Sequence, residues 1–239
     1  MLTNLFVEFR KLKGSLVLVL CLVAPSLVAV LLGVICVRQP VMTWHDAMQG
    51  GTGLWAYFVM PLTTTALGIL VAQIEHGPRA WDHLLALPIQ RWRLFAAKGI
   101  VVMLLIGSMC VLLGLEFRLV GLLGQELLPR KVPTGTFPWA LQAKYLGSMW
   151  GASLFMAMLG LWVALRFRSF VPPLTLGLAG TFFAVAAFGA KETVFIPWVM
   201  PVSIVAGDPS RAVLALRLGV AGGMITSLLM IWHLSRREA

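Results

Sequence analysis

The chain has 239 residues, of which 59% are hydrophobic and 12% charged, and its formal net charge is +10. A soluble domain carries about a quarter charged residues, so this composition excludes an ordinary soluble globular protein. The cations sit in short segments between apolar runs, with no basic run interleaved with aromatics. That pattern excludes a nucleic-acid surface and reads as a membrane orientation signal or an attraction to anionic lipid headgroups.

The N-terminus opens on an amphipathic element. Leu2, Leu5, Phe6, Phe9 and Leu12 recur at helical spacing, while Glu8, Arg10, Lys11 and Lys13 are polar. The pattern predicts a short helix in the headgroup layer, with Glu8, Lys11 and Lys13 on its polar side. Six apolar runs follow: Ser15–Val37, Leu54–Ile74, Lys98–Leu115 (extending towards Leu123), Leu146–Leu165, Val171–Gly189 and Ala212–Trp232. About 20 residues rising 1.5 Å each cover about 30 Å of hydrocarbon, and each run comes close to that. The runs are continuously apolar rather than alternating, so the expectation is an all-α membrane protein of six transmembrane helices, not a barrel. The first run is too long for a signal-peptide core and has no small-x-small cleavage site, so it is read as a membrane helix. The polar inserts leave no room for a soluble catalytic domain, and residues 1–239 read as one membrane domain.

With the N-terminus inside and six alternating helices, the cytoplasmic segments hold eleven cations against four acids, and the outer segments eight against five. The bias is clearest at the first helix, where Arg10, Lys11 and Lys13 face a single Arg38. Both termini are therefore expected in the cytoplasm. Trp44, Trp55, Trp139, Trp150, Trp198 and Trp232 sit near span ends and read as an interfacial aromatic belt. Cys21, Cys36 and Cys110 lie within apolar runs without metal-type spacing and read as small core residues. Glu116 falls about 30 Å along a third span begun at Ala96, which puts it and Arg118 at the outer headgroups. Arg217, near the outer end of the sixth span, is expected to snorkel. Pro197-Trp198-Val199-Met200-Pro201 predicts a broken outer helix after the fifth span.

The most structured polar stretch joins spans two and three, from Glu75 to Lys98. Gly77-Pro78 breaks the incoming helix. A short helix from Arg79 to Leu87 then places Trp81, Leu84 and Leu85 on one face, Pro88 stops it, and Arg91 begins an amphipathic turn into the third span. Such an element suits a partner's grip and equally an ordinary interfacial loop.

Two stretches resemble the membrane subunits of type-2 ABC transporters, in particular the group of lantibiotic and bacitracin immunity exporters. Asn4 to Ser15 is similar to that group's opening, with Glu8 three residues before Lys11, then Leu12-Lys13 ahead of the first span and Pro25 within it. Glu75, Leu84, Leu85, Pro88, Arg91 and Lys98 resemble the signature of its cytoplasmic loop, although Gly77-Pro78-Arg79-Ala80-Trp81 replaces the usual Gly-Thr after the glutamate. The resemblance implies a permease whose loop, through Glu75, Arg79, Trp81, Leu84, Leu85, Pro88 and Arg91, is a coupling helix seated on a cytoplasmic ABC ATPase dimer. The chain has no G-x-x-x-x-G-K-[ST] phosphate loop, so ATP and Mg are expected on the partner and no cofactor on this chain. Six spans are half the usual complement, which implies a second permease subunit, identical or sister. Gly147 and Gly151 form one G-x-x-x-G, a candidate packing face for that pairing.

The expected role is export of a hydrophobic or amphipathic substrate, such as a peptide antibiotic, from a bacterial inner membrane. An ATP-independent carrier or channel is the alternative, and the nearly charge-free span centres argue against it. An enzyme is not expected. His45, His76, His83 and His233 share no ligand spacing with a carboxylate, and neither H-E-x-x-H nor a membrane-embedded G-x-S-x-G is present.

Overall fold

Caps, prolines and glycines divide the apolar sequence into helices in a computed structural model that describes residues 2–38, 42–76, 90–129, 132–187 and 189–236. Among the described residues there is no strand, only an isolated bridge between Thr43 and Thr134.

Helix α1 (Leu2–Lys11) ends in a turn through Gly14, whose φ of 77° is the left-handed region open to glycine. Helix α2 (Leu16–Arg38) buries Val17, Cys21, Ala24, Val28, Leu32 and Cys36, a stripe at three- and four-residue spacing. Its other faces leave Leu18, Leu22 and Val30 exposed, as a lipid-facing helix does. Helix α3 (Trp44–Leu54) starts at a capping box in which the Thr43 hydroxyl and the Asp46 carboxylate each serve the other's backbone. It continues through a π-helical turn, Trp55–Val59, into α4 (Met60–His76). The turn precedes Pro61, which has no backbone N–H to give, and Met60 N–H reaches Trp55 O instead. The second predicted span therefore starts near Trp44 rather than Leu54, because the cap and not the hydropathy sets its end.

Helix α5 (Arg91–Leu127) has 37 residues. At 1.5 Å per residue it is about 55 Å long, well beyond the hydrocarbon thickness. Helices α6 (Trp139–Arg166) and α7 (Val171–Ala187) follow, then a 3₁₀ turn at Lys191–Phe195, the short α8 (Val199–Ser203) and α9 (Pro209–Ser235). Among the described residues, five segments are long and apolar enough to cross a membrane: α2, α3–α4, α5, α6 and α9. The fifth predicted span is α7, whose 17 residues make it the shorter apolar helix of the set.

Pro197 interrupts the chain as expected, whereas Pro201 lies within the first turn of α8. Trp198, Val199, Met200 and Val202 are buried, and Arg211 in the first turn of α9 pins the segment. Its Nε donates to Ser203 Oγ at 3.2 Å and its Nη2 to Thr193 Oγ1 at 3.1 Å. Helices α6 and α9 approach most closely along small residues. A Cβ at Gly219 would stand 2.5 Å from the Ala152 backbone, so only glycine permits this crossing.

The tryptophans depart from the expected belt. Trp139 and Trp232 are more than half exposed, but Trp44, Trp55 and Trp198 are buried in the bundle. Trp44 lies over Gly121 and edge-on to Phe137, and Trp198 lies over Gly180. Trp150 is half-buried and donates its indole N–H to Met103 O at 2.9 Å. Cys21, Cys36 and Cys110 are buried free thiols.

Candidate functional site

One end of the bundle gathers the end of α4, the start of α5, the end of α6 and the underside of α1. Helical spacing puts Glu8 and Lys11 on one face of α1, next to the last turn of α4 and the second turn of α5. There Glu75, one residue before the end of α4, meets Lys98 of α5. Four side chains close a ring. Lys98 Nζ donates to Glu8 Oε2 at 2.8 Å and to Glu75 Oε1 at 2.7 Å. Lys11 Nζ donates to Glu8 Oε1 at 2.7 Å and to Glu75 Oε1 at 2.8 Å.

The ring is neutral, two cations against two anions, and it is largely buried. Lys98 is 1% exposed, Glu75 2% and Glu8 5%, while Lys11 closes the solvent side. Isolated charges in such a place would be prohibitively costly, and each of these has opposite charges beside it. Burial alone would raise the Glu8 pKa, but Lys98 and Lys11 outweigh it and hold the carboxyl below its ordinary range. For Lys11, burial opposes the charge and the carboxylates of Glu75 and Glu8 override it, raising its pKa.

Neighbouring bonds brace the same end. Gln73 donates to Arg168 O at 3.1 Å, and the His76 Nε2–H reaches Ala164 O at 3.1 Å, joining α4 to α6 and its following turn. Trp162 donates to His233 Nδ1 at 3.1 Å, joining α6 to α9.

Of the residues singled out in the loop, Glu75 and Arg91 are described and stand at its two stems; Arg79, Trp81, Leu84, Leu85 and Pro88 lie outside the described residues. Lys13 is exposed in the turn after α1, apart from the ring. Gly147 and Gly151 do not share an open face: Gly147 has open space beside it, whereas Gly151 packs under Leu216 of the same chain. Glu116 differs from expectation. Ser26 Oγ donates to its Oε1 at 2.5 Å, and Ser26 lies ten residues into the 23-residue α2. The carboxylate thus reaches the middle of α2, because side chains lean towards the N-terminus of their own helix. The long-range pairing of Glu8 with Lys98 was missed by sequence reasoning. Its one signal was a lone lysine flanked by Phe95-Ala96-Ala97 and Gly99-Ile100, an apolar run that needs a partner acid.

Residues 5–184 match the family described as ABC-2 family transporter protein, three quarters of the chain. The chain belongs to this family. All four members of the ring lie inside the matched region. An ABC-2 permease is a multi-pass membrane subunit, usually non-catalytic, that works with an ABC ATPase, and the apolar helices described above agree with that placement. Comparison with curated proteins gives no match.

Proposed function

We propose that the chain is the permease of an ATP-driven exporter and that the loop from Glu75 to Arg91 is the coupling element its ATPase grips. The observation that carries this reading is the buried ring of Glu8, Lys11, Glu75 and Lys98. It clamps both stems of the loop to each other and to α1. A push on the loop then moves α1, α4 and α5 together instead of spreading the stems, which is what a transmission joint between a motor and membrane helices requires.

Within this reading residues 1–239 form a single permease domain with α7 as the sixth crossing, α1 in the headgroup layer and both termini in the cytoplasm of a bacterial inner membrane. Two such subunits, identical or sister, pair over an ATPase dimer that binds ATP and Mg. The substrate is hydrophobic or amphipathic. The opening and loop patterns that resemble lantibiotic and bacitracin exporters favour a peptide antibiotic and a role in self-protection.

Trp81, Leu84 and Leu85 are the anchor residues of the loop, with Arg79 and Arg91 as its charged flank. Burying an aromatic anchor in a partner groove is typically worth ~2 kcal/mol or more. Trp81→Glu should therefore release the ATPase, or uncouple hydrolysis from transport, while the permease still inserts and pairs. Co-purification of the ATPase with Trp81→Glu at wild-type stoichiometry and coupled activity refutes the docking role.

A further inference from the structure

Away from the ionic ring, α5 and α6 diverge to leave a groove of about 500 Å³ that opens on the side of the bundle. One wall runs from Leu104 to Leu115, the other from Trp139 to Trp150, twelve residues and eleven rises each and therefore about 16 Å long. The groove, about 500 Å³ in volume and about 16 Å long, is apolar along nearly all of its length, which suits an extended hydrocarbon chain. Glycines make the depth: Gly107 lies against Trp150, Gly114 against Leu146, and Gly147 leaves open space. The rims are apolar and outward-facing, with Leu104, Val111, Leu115 and Trp139 each about half exposed.

Two polar side chains interrupt this surface, and one of them, Ser108, spends its hydroxyl on Leu105 O at 2.7 Å. Gln142 is 2% exposed, one turn in from Trp139, and its side chain lines the groove. Its Nε2 donates to Gly114 O at 3.3 Å, which fixes the amide, since a carbonyl there can only accept. Its Oε1 is buried and has no partner among the described residues. A buried amide oxygen calls for a donor, and water is disfavoured in a trough otherwise lined by hydrocarbon. No charged side chain lines the groove, so a neutral donor fits and an ammonium does not.

We propose that the groove between α5 and α6 holds one chain of a membrane lipid, with a hydroxyl at its head end donating to Gln142 Oε1. The tail lies along Leu146 towards Trp150 and Leu104. The site is separate from the coupling ring and does not depend on the exporter reading.

The test uses the full chain in phosphatidylcholine nanodiscs containing a diazirine-tagged monoacylglycerol. Photolysis should label the Leu104–Leu115 and Trp139–Trp150 stretches saturably. Unlabelled monoacylglycerol should compete, and its dimethyl ether, which lacks a donor, should compete about tenfold less well. Gly147→Phe should fill the trough and cut labelling about tenfold; Gly147 is exposed with nothing within 4 Å, so the fold tolerates the ring. Gln142→Leu should keep labelling but erase the preference for the hydroxyl. Non-saturable labelling that Gly147→Phe leaves unchanged would show ordinary annular lipid and overturn the proposal. So would equal competition by alcohol and ether in the wild type, or crosslinks showing a second copy seated in the groove.

Discussion

At the scale of single residues, the ring makes the strongest demands. Lys98→Met leaves two buried carboxylates with only Lys11, itself 25% exposed, between them. Removing one partner of a buried ion pair costs about 3–5 kcal/mol. Lys98→Met should lower stability by that order in titration with denaturing detergent, and adding Glu75→Gln should restore at least half of the loss. Additive losses in the double variant would count against the ring. The pH response has two limbs. Glu8 is depressed below its ordinary 4.5 when folded, so its stabilisation is present above 4.5 and is lost as pH falls through the folded value. Lys11 is raised above its ordinary 10.5, so its stabilisation is complete below 10.5 and is lost as pH rises through the folded value. A fluorophore on Lys13→Cys should report α1 docked between these limits and released beyond both. Release at neutral pH would contradict the pairing.

At the scale of elements, the α6–α9 seam is the most intolerant contact. Gly219→Ala would push a methyl to 2.5 Å from the Ala152 backbone, which cannot swing aside. Overpacking of this kind costs about 1–3 kcal/mol, so the variant should lose that much, whereas Gly147→Ala, facing open space, should change stability by less than ~0.5 kcal/mol. Equal effects from the two would sink this account. The apolar helices were legible because crossing hydrocarbon demands a run of about 20 apolar residues, and that demand is written locally. The polar start of α3 was not, since a capping box at Thr43 and Asp46 extends a helix through residues that a hydropathy window rejects. The buried tryptophans were equally hidden: an indole suits an interface or a core, and Gly121 and Gly180, far along the chain, decide which. The site was half legible. Glu75 and Lys98 each stood out as charges beside apolar runs, but the ring depends on α1 folding back under α5, and nothing local encodes that.

At the scale of the whole molecule, topology is the first matter to measure. Gln90 and Thr136 are exposed at opposite ends of α5. Single cysteines at these positions should react with an impermeant thiol reagent from opposite sides of the membrane, and reaction from one side overturns the proposed path. Assembly is the second. Crosslinking in native membranes should capture two permease chains with two ATPases, and a stable complex holding one permease chain would refute the pairing.

The closed ring also imposes an order on synthesis. Glu8 and Lys98 are 90 residues apart, and Glu75 and Lys98 are 23 apart. At roughly 5–20 residues per second, Glu8 leaves the ribosome about 5–18 s before Lys98, and Glu75 about 1–5 s before it. Until then two of the four charges, Glu8 and Glu75, have only Lys11 to share, so the ring cannot close before Lys98 has been made. A nascent chain halted before Lys98 is therefore an incomplete circuit, with two carboxylates and one lysine.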